Sequence, residues 1–382
     1  MNPADLLAPP SPLGFPAPYW FMAFFKVLGF SLHAVPMNLW YAGILLAMLL
    51  WWSGEHGRTW STRLMNRMPV IIAFGVNFGI VPLLFVQTAY YRVFYPATIL
   101  MAWFWLSVIG LLTLAYYGVY LYVIALRAGN VSRFHRAVGW ISALFFIGIG
   151  FVFANGLSLM NNVAGWPEIW RNTSISGAAL GTALNIGDRT LWPRWLMMFG
   201  LALTTVAAYT AFETAYSGHR EGEGYVRWAG SFALKLCAVG VVWYGITALW
   251  YMLGTWPHQT LEAMFAMPRL PLTVLTGAGP VLVLLLLWLQ RRGATRRVAL
   301  ATGFAQFGVV GLNAISRQLV QNLELAPYLN LMDEPVHTQW SSLIPFLVFF
   351  LVGVGVLVWM VMQAVAVNRR EATAPSPGPT AG

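Results

Sequence analysis

Charge is what this sequence lacks most. Only 9% of its 382 residues are Asp, Glu, Lys or Arg, whereas 59% are hydrophobic. A soluble domain carries about 25% charged residues, so this chain cannot clothe a soluble surface. Acidic residues are scarcer than basic ones, 12 against 22, for a net charge of +10. The basic residues stand in short clusters between apolar runs, not on one soluble face, which excludes a nucleic-acid-binding protein. The single cysteine, Cys237, excludes a disulfide framework and a thiolate metal cluster. No Walker motif, dinucleotide-binding fingerprint or nucleophile elbow occurs in a usable context, so hydrolytic chemistry of the soluble type is not expected. No helix carries two histidines at ligating spacing, so a dedicated protein metal site is not expected. Residues 1–18 contain no Lys or Arg, so they lack the basic start of a cleavable signal peptide.

Apolar runs are what the chain has in abundance. A membrane span needs about 20 mostly apolar residues. Nine runs qualify, over 19–52, 68–94, 97–126, 137–160, 191–216, 225–253, 270–290, 298–320 and 341–367. The expected fold class is therefore all-α, a polytopic membrane helix bundle. It comprises an N-terminal periplasmic segment over 1–18, a nine-span membrane domain over 19–367, and a disordered cytoplasmic tail over 368–382. The Pro, Ala, Thr and Gly content of that tail is the composition of a segment that buries too little to fold. Basic residues near span ends stay in the cytoplasm. Fourteen arginines fall on one side of the nine runs, among them Arg58, Arg63, Arg133, Arg291, Arg292 and Arg370. Five fall on the other, Arg92, Arg171, Arg189, Arg194 and Arg269. The expectation is an outside N-terminus, a cytoplasmic C-terminus and a place in a bacterial inner membrane. Tyr19, Tyr90, Tyr91 and Tyr251, with several tryptophans, stand at span ends and are read as the interfacial aromatic belt.

Polar residues inside a span are costly and so are functional candidates. His33 lies midway along the first run. A neutral imidazole there has two readings, an axial ligand to haem iron or an interhelical hydrogen bond. Lys26 lies two turns away and is expected to snorkel outward, with contact to a haem propionate or other anion as the alternative. Lys235 is expected to pair with Glu213. Asn313, Arg317 and Gln321 recur at i, i+4, i+8 and share one helix face. That face, with Gln318, is expected to line protein or a water-filled cavity. Its Arg could clamp a carboxylate, a propionate or a quinone oxygen, or serve only to hold helices together. Asn77 is a further isolated polar candidate, and Gly75 and Gly79 form a small-xxx-small pair.

His33-Ala-Val-Pro36, then Gly57-Arg58-Thr59-Trp60, then Phe74-Gly75-Val76-Asn77-Phe78-Gly79-Ile80 resemble the start of cytochrome bd quinol oxidase subunit I. The resemblance covers about 60 residues; beyond them only the number and direction of the spans agree. It implies that His33 is the axial ligand of a b-type haem. It also implies a respiratory electron-transfer role, contact with quinol, and partner subunits in the membrane or periplasm. The family's fifth span supplies a second haem histidine, but here Trp192-Pro193-Arg194-Trp195-Leu196-Met197-Met198 offers Met197 or Met198 in the approximate place. The run 97–126 has no Asp or Glu, where the family places acidic residues. The resemblance therefore implies at most one haem. A transporter and a cofactor-free membrane anchor are the competing readings.

Overall fold

The computed structural model describes residues 2–290 and 295–373. Arg291, Arg292 and the end of the tail, 374–382, lie outside the described residues. Eight apolar stretches are long enough to cross a membrane. Helix α1 runs Tyr19–Leu50 and α2 runs Glu55–Ala89. A short α3, Tyr91–Leu100, leads into α4, Ala102–Arg127, and α5, Arg133–Asn161. After the small α6, Trp166–Thr173, comes a two-stranded hairpin, β1 Ser174–Ile175 with β2 Ala178–Ala179. Ser176 and Gly177 at its tip both have positive φ, as a two-residue turn of this kind demands. Then follow α7, Leu191–Ser217, α8, Gly222–Thr255, α9, His258–Phe265, α10, Leu270–Gln290, α11, Arg296–Leu325, and α12, Trp340–Thr373.

One apolar stretch, Leu191–Thr255, is 65 residues long, about three times what a bilayer needs. It folds into the hairpin α7–α8 at Gly222, whose φ of 87° a residue with a side chain rarely adopts. The two helices run antiparallel, with Arg194 bonded to Tyr251 and Leu196 to Trp243. They touch closely where a Cβ on Gly200 would stand 2.8 Å from the Tyr244 backbone nitrogen. From Gly200 to Ala208 every residue of α7 is buried, the mark of a helix at the centre of a bundle. Around it lies the main core, which includes Trp40, Trp60, Met68, Phe146, Val206 and Tyr225.

Two departures from the apolar runs have backbone causes. In α1, Pro36 has no N–H to give, and the next turn widens into a fully buried π-turn over Leu39–Gly43. The second run, expected over 68–94, is instead a 35-residue helix ending at Ala89. The chain breaks at Tyr90 (φ −121°, ψ 24°) and again at Met101 (φ −112°, ψ 29°), isolating α3. Tyr90 is fully buried there, its hydroxyl pulled into the polar cluster described below. We call the end of the bundle holding Tyr19 and Tyr90 the Tyr19 end. The N-terminal segment seals it: Phe15 donates to Pro335 O (2.7 Å) and accepts from His337 N (2.9 Å). Arg92 pairs with Glu334 at 3.3 Å beside this seam. Outside the spans, burial pushes the Tyr91 phenol up, opposed by the Ser11 N–H that it accepts. Helix α12 stands apart. Its Phe346 and Phe350 meet Phe21, Phe25 and Phe85, while every described side chain from Leu351 to Met360 is exposed.

Candidate functional site

His33 sits where α1 crosses α2. Its Nδ1 lies 2.7 Å from the Gly75 carbonyl oxygen. A carbonyl only accepts, so Nδ1 carries the proton and Nε2 keeps its lone pair. No hydrogen-bond partner for Nε2 exists among the described residues. The ring packs edge-on to Trp40, centroids 5.7 Å apart. The Gly75/Gly79 pair makes this crossing. A Cβ on Gly79 would come within 2.8 Å of the His33 ring, and one on Gly75 within 2.1 Å of Trp40. Both expectations for His33 thus have a nitrogen: the interhelical bond uses Nδ1, and Nε2 is left as a donor atom. Asn77, between the two glycines, points away. It is exposed, and its amide donates to Ala73 O at 2.8 Å one turn back. Its side chain therefore joins neither the His33 ring nor the polar cluster described next.

The second assembly lies at the Tyr19 end and gathers polar groups from six places in the chain. Lys26 does not snorkel: its Nζ donates to Gln321 Oε1 at 2.5 Å and lies 4.1 Å from the Tyr90 ring centroid. The acceptor inside the bundle, not a path to the surface, takes its polar end. Gln321 donates onward to Asn161 Oδ1 (3.3 Å). Asn161 donates to Glu324 Oε2 at 2.5 Å, and Glu324 takes the guanidinium of Arg194 at 2.5 Å. Arg194 also donates to the Tyr251 hydroxyl at 2.7 Å. Beside this chain, Gln318 donates to Tyr19 (3.0 Å), Asn322 (3.0 Å) and Tyr90. The Tyr19 and Tyr90 hydroxyls are 2.8 Å apart.

Of the stripe Asn313, Arg317 and Gln321, only Gln321 joins this network. Asn313 and Arg317 line a separate cavity with Phe30, Ala34, Asn38 and Met198. Its volume, about 10 Å³ for the centre of a water-sized sphere, admits roughly one water. A quinone ring has no room in it. The Gln321 amide and the Gln318 Nε2 are engaged within the network, while Gln318 Oε1 is buried without a partner among the described residues, so neither residue forms an open quinone contact. Met198 lines the same cavity as Phe30, Ala34 and Met37 of α1, whereas His33 bonds to α2. Met197 is packed in the main core. Neither methionine is brought to His33 as a second axial ligand.

Several network members escape a reading by sequence. Tyr19, Tyr90 and Tyr251 belong to the expected aromatic belt, yet their hydroxyls turn inward. Arg194 and Glu324 stand at span ends, where charge is ordinary. One signal was available: Asn322 and Gln318 are four apart, and Glu324 follows Arg317 by two turns on the same helix. At the opposite end, Glu213 does not pair with Lys235. It takes Arg63 and Arg67 from α2, and Lys235 is exposed. The carboxylate faces α2 because α7 is central, while Lys235 lies on the outward side of α8. Among the described residues, no three His, Cys, Asp or Glu stand together as a metal site.

No family model matches the chain, and no curated protein matches it. The donor chemistry of His33 fits one axial bond to haem iron. Ligating histidines characteristically give their other N–H to a backbone carbonyl or carboxylate. The neighbouring methionines do not fit a second bond.

Proposed function

We propose that this chain is the membrane subunit of a respiratory electron-transfer complex, with His33 as the one protein ligand of a b-type haem. The reading is carried by the His33 Nδ1–Gly75 O hydrogen bond at 2.7 Å. It holds the tautomer and leaves Nε2 with a lone pair at mid-span, where a bare polar nitrogen is otherwise costly. A haem bound there supplies a one-electron centre inside the bilayer. The residues of the chain do the rest: Gly75 orients the imidazole, Gly79 admits it, and Trp40 packs its edge. The quinol donor and the partner subunits follow from the resemblance to cytochrome bd subunit I, and the cavity at Arg317 is not the quinol site. The reading includes nine crossings, with the Tyr19 end outside and the C-terminus in the cytoplasm of a bacterium.

The experiment is an absorbance spectrum of the purified, dithionite-reduced protein. A b-type band is expected, lost in His33→Ala and kept in Asn77→Ala, whose side chain faces outward. A spectrum with no band in the wild-type protein removes the haem and leaves a transporter or a cofactor-free anchor, to be separated by uptake in vesicles.

A further inference from the structure

The cavity beside Arg317 has a charge imbalance that the chain does not resolve. Arg317 makes no hydrogen bond and no ion pair among the described residues, and its Nη1 is sealed from solvent without a partner. Its guanidinium stacks on Phe30 at 4.6 Å, a contact that is weaker than the desolvation cost of burying an ion. The neighbouring charges worsen the imbalance. Lys26 and Arg194 both lie close enough to repel Arg317. The single carboxylate of the cluster, Glu324, is already bound by Arg194. Two guanidiniums, those of Arg194 and Arg317, therefore share one carboxylate, and Lys26 adds a further basic group. The other polar groups around the cavity do not neutralise it: Asn38 donates to Thr205 Oγ1 at 2.9 Å, and the amide of Asn313, also in the lining, carries no charge. The remaining lining is apolar, with Phe30, Ala34, Met37, Met198, Leu201 and Val310.

We propose that this cavity is a binding site for one compact monovalent anion, a halide such as chloride, held by the Arg317 guanidinium. The cavity's size selects the class, since room for about one water-sized sphere excludes phosphate, a carboxylate-bearing molecule or a ring. Its wall selects it too. It is mostly apolar carbon, with the Asn313 amide as one further donor group, which suits a single weakly hydrated sphere better than a multi-oxygen anion. The site is independent of haem at His33, because the imidazole faces α2 and does not line the cavity.

The test uses the full chain purified in detergent. Its unfolding midpoint is measured in sodium chloride, bromide, gluconate and sulfate at equal ionic strength. A saturable upward shift is expected in chloride and bromide only, and Arg317→Gln should abolish the salt difference. Crystals grown in bromide provide a second measurement on the wild-type protein, with an anomalous peak expected beside the Arg317 guanidinium. Equal midpoints in all four salts, or an unchanged halide response in Arg317→Gln, would overturn the proposal. So would water or a lipid headgroup in the cavity with no bromide peak.

Discussion

At the scale of single residues, the Tyr19 end depends on Glu324. It is the carboxylate that Arg194 and Asn161 share, and the cations around it outnumber it. Removing one partner of a buried pair leaves the other uncompensated, at a cost of about 3–5 kcal/mol. Glu324→Gln should lower stability by that order, read as a fall in the unfolding midpoint of the purified protein. Replacing both partners, Arg194→Met with Glu324→Leu, should recover much of the loss, because no lone charge remains. Equal damage from the single and double variants would mean that packing, not charge, is what Glu324 supplies. Lys26 shows why depth along a run does not predict direction. Its four-carbon stem can reach outward, but the Gln321 carbonyl and the Tyr90 ring are nearer than water and satisfy the ammonium inside.

At the scale of elements, close approach decides which glycines matter. Gly200 lies against the Tyr244 backbone, while a Cβ on Gly245 would meet nothing within 4 Å. Both are helical and look alike in the sequence. Gly200→Ala should force α7 and α8 apart at a cost of about 1–3 kcal/mol. Gly245→Ala should be neutral or stabilising by up to about 1 kcal/mol, from helix propensity. Comparing the two midpoints checks the packing directly, and a harmless Gly200→Ala would argue against the contact. The helix ends at Tyr90 and Met101 could not be read from hydropathy, since both flanks stay apolar.

For the whole molecule, Cys237 makes the orientation measurable. As the sole cysteine of the chain, and a buried one, it can be replaced by Ser to give a cysteine-free background. Asn130→Cys, between α4 and α5, should then label only from the cytoplasmic side with an impermeant maleimide. Ser176→Cys, at the hairpin tip, should label only from the opposite side. The reverse pattern would overturn the proposed topology, and labelling of both from one side would remove a crossing. Helix α12, exposed along the described part of its length beyond Phe350, is where lipid or a partner subunit must cover the most apolar surface.

Composition and hydropathy were enough to establish a helical membrane bundle, because burying so little charge and so much apolar surface leaves few other folds. Most helices also began and ended near the apolar runs, since the same residues that favour the bilayer define each span. The sequence also marked His33 and Arg317 as costly inside a membrane. It could not say where they point. Side-chain direction around a helix depends on which neighbours the bundle supplies: α2 presents its glycine face to His33, and among the described residues no element presents a carboxylate to Arg317. The same holds for the tyrosines, which hydropathy assigns to the membrane surface and the tertiary structure turns inward. The Tyr19 and Tyr90 hydroxyls find amide partners only once α1 and the break at Tyr90 have met α11, and the Tyr251 hydroxyl finds Arg194 only once α7 and α8 have packed.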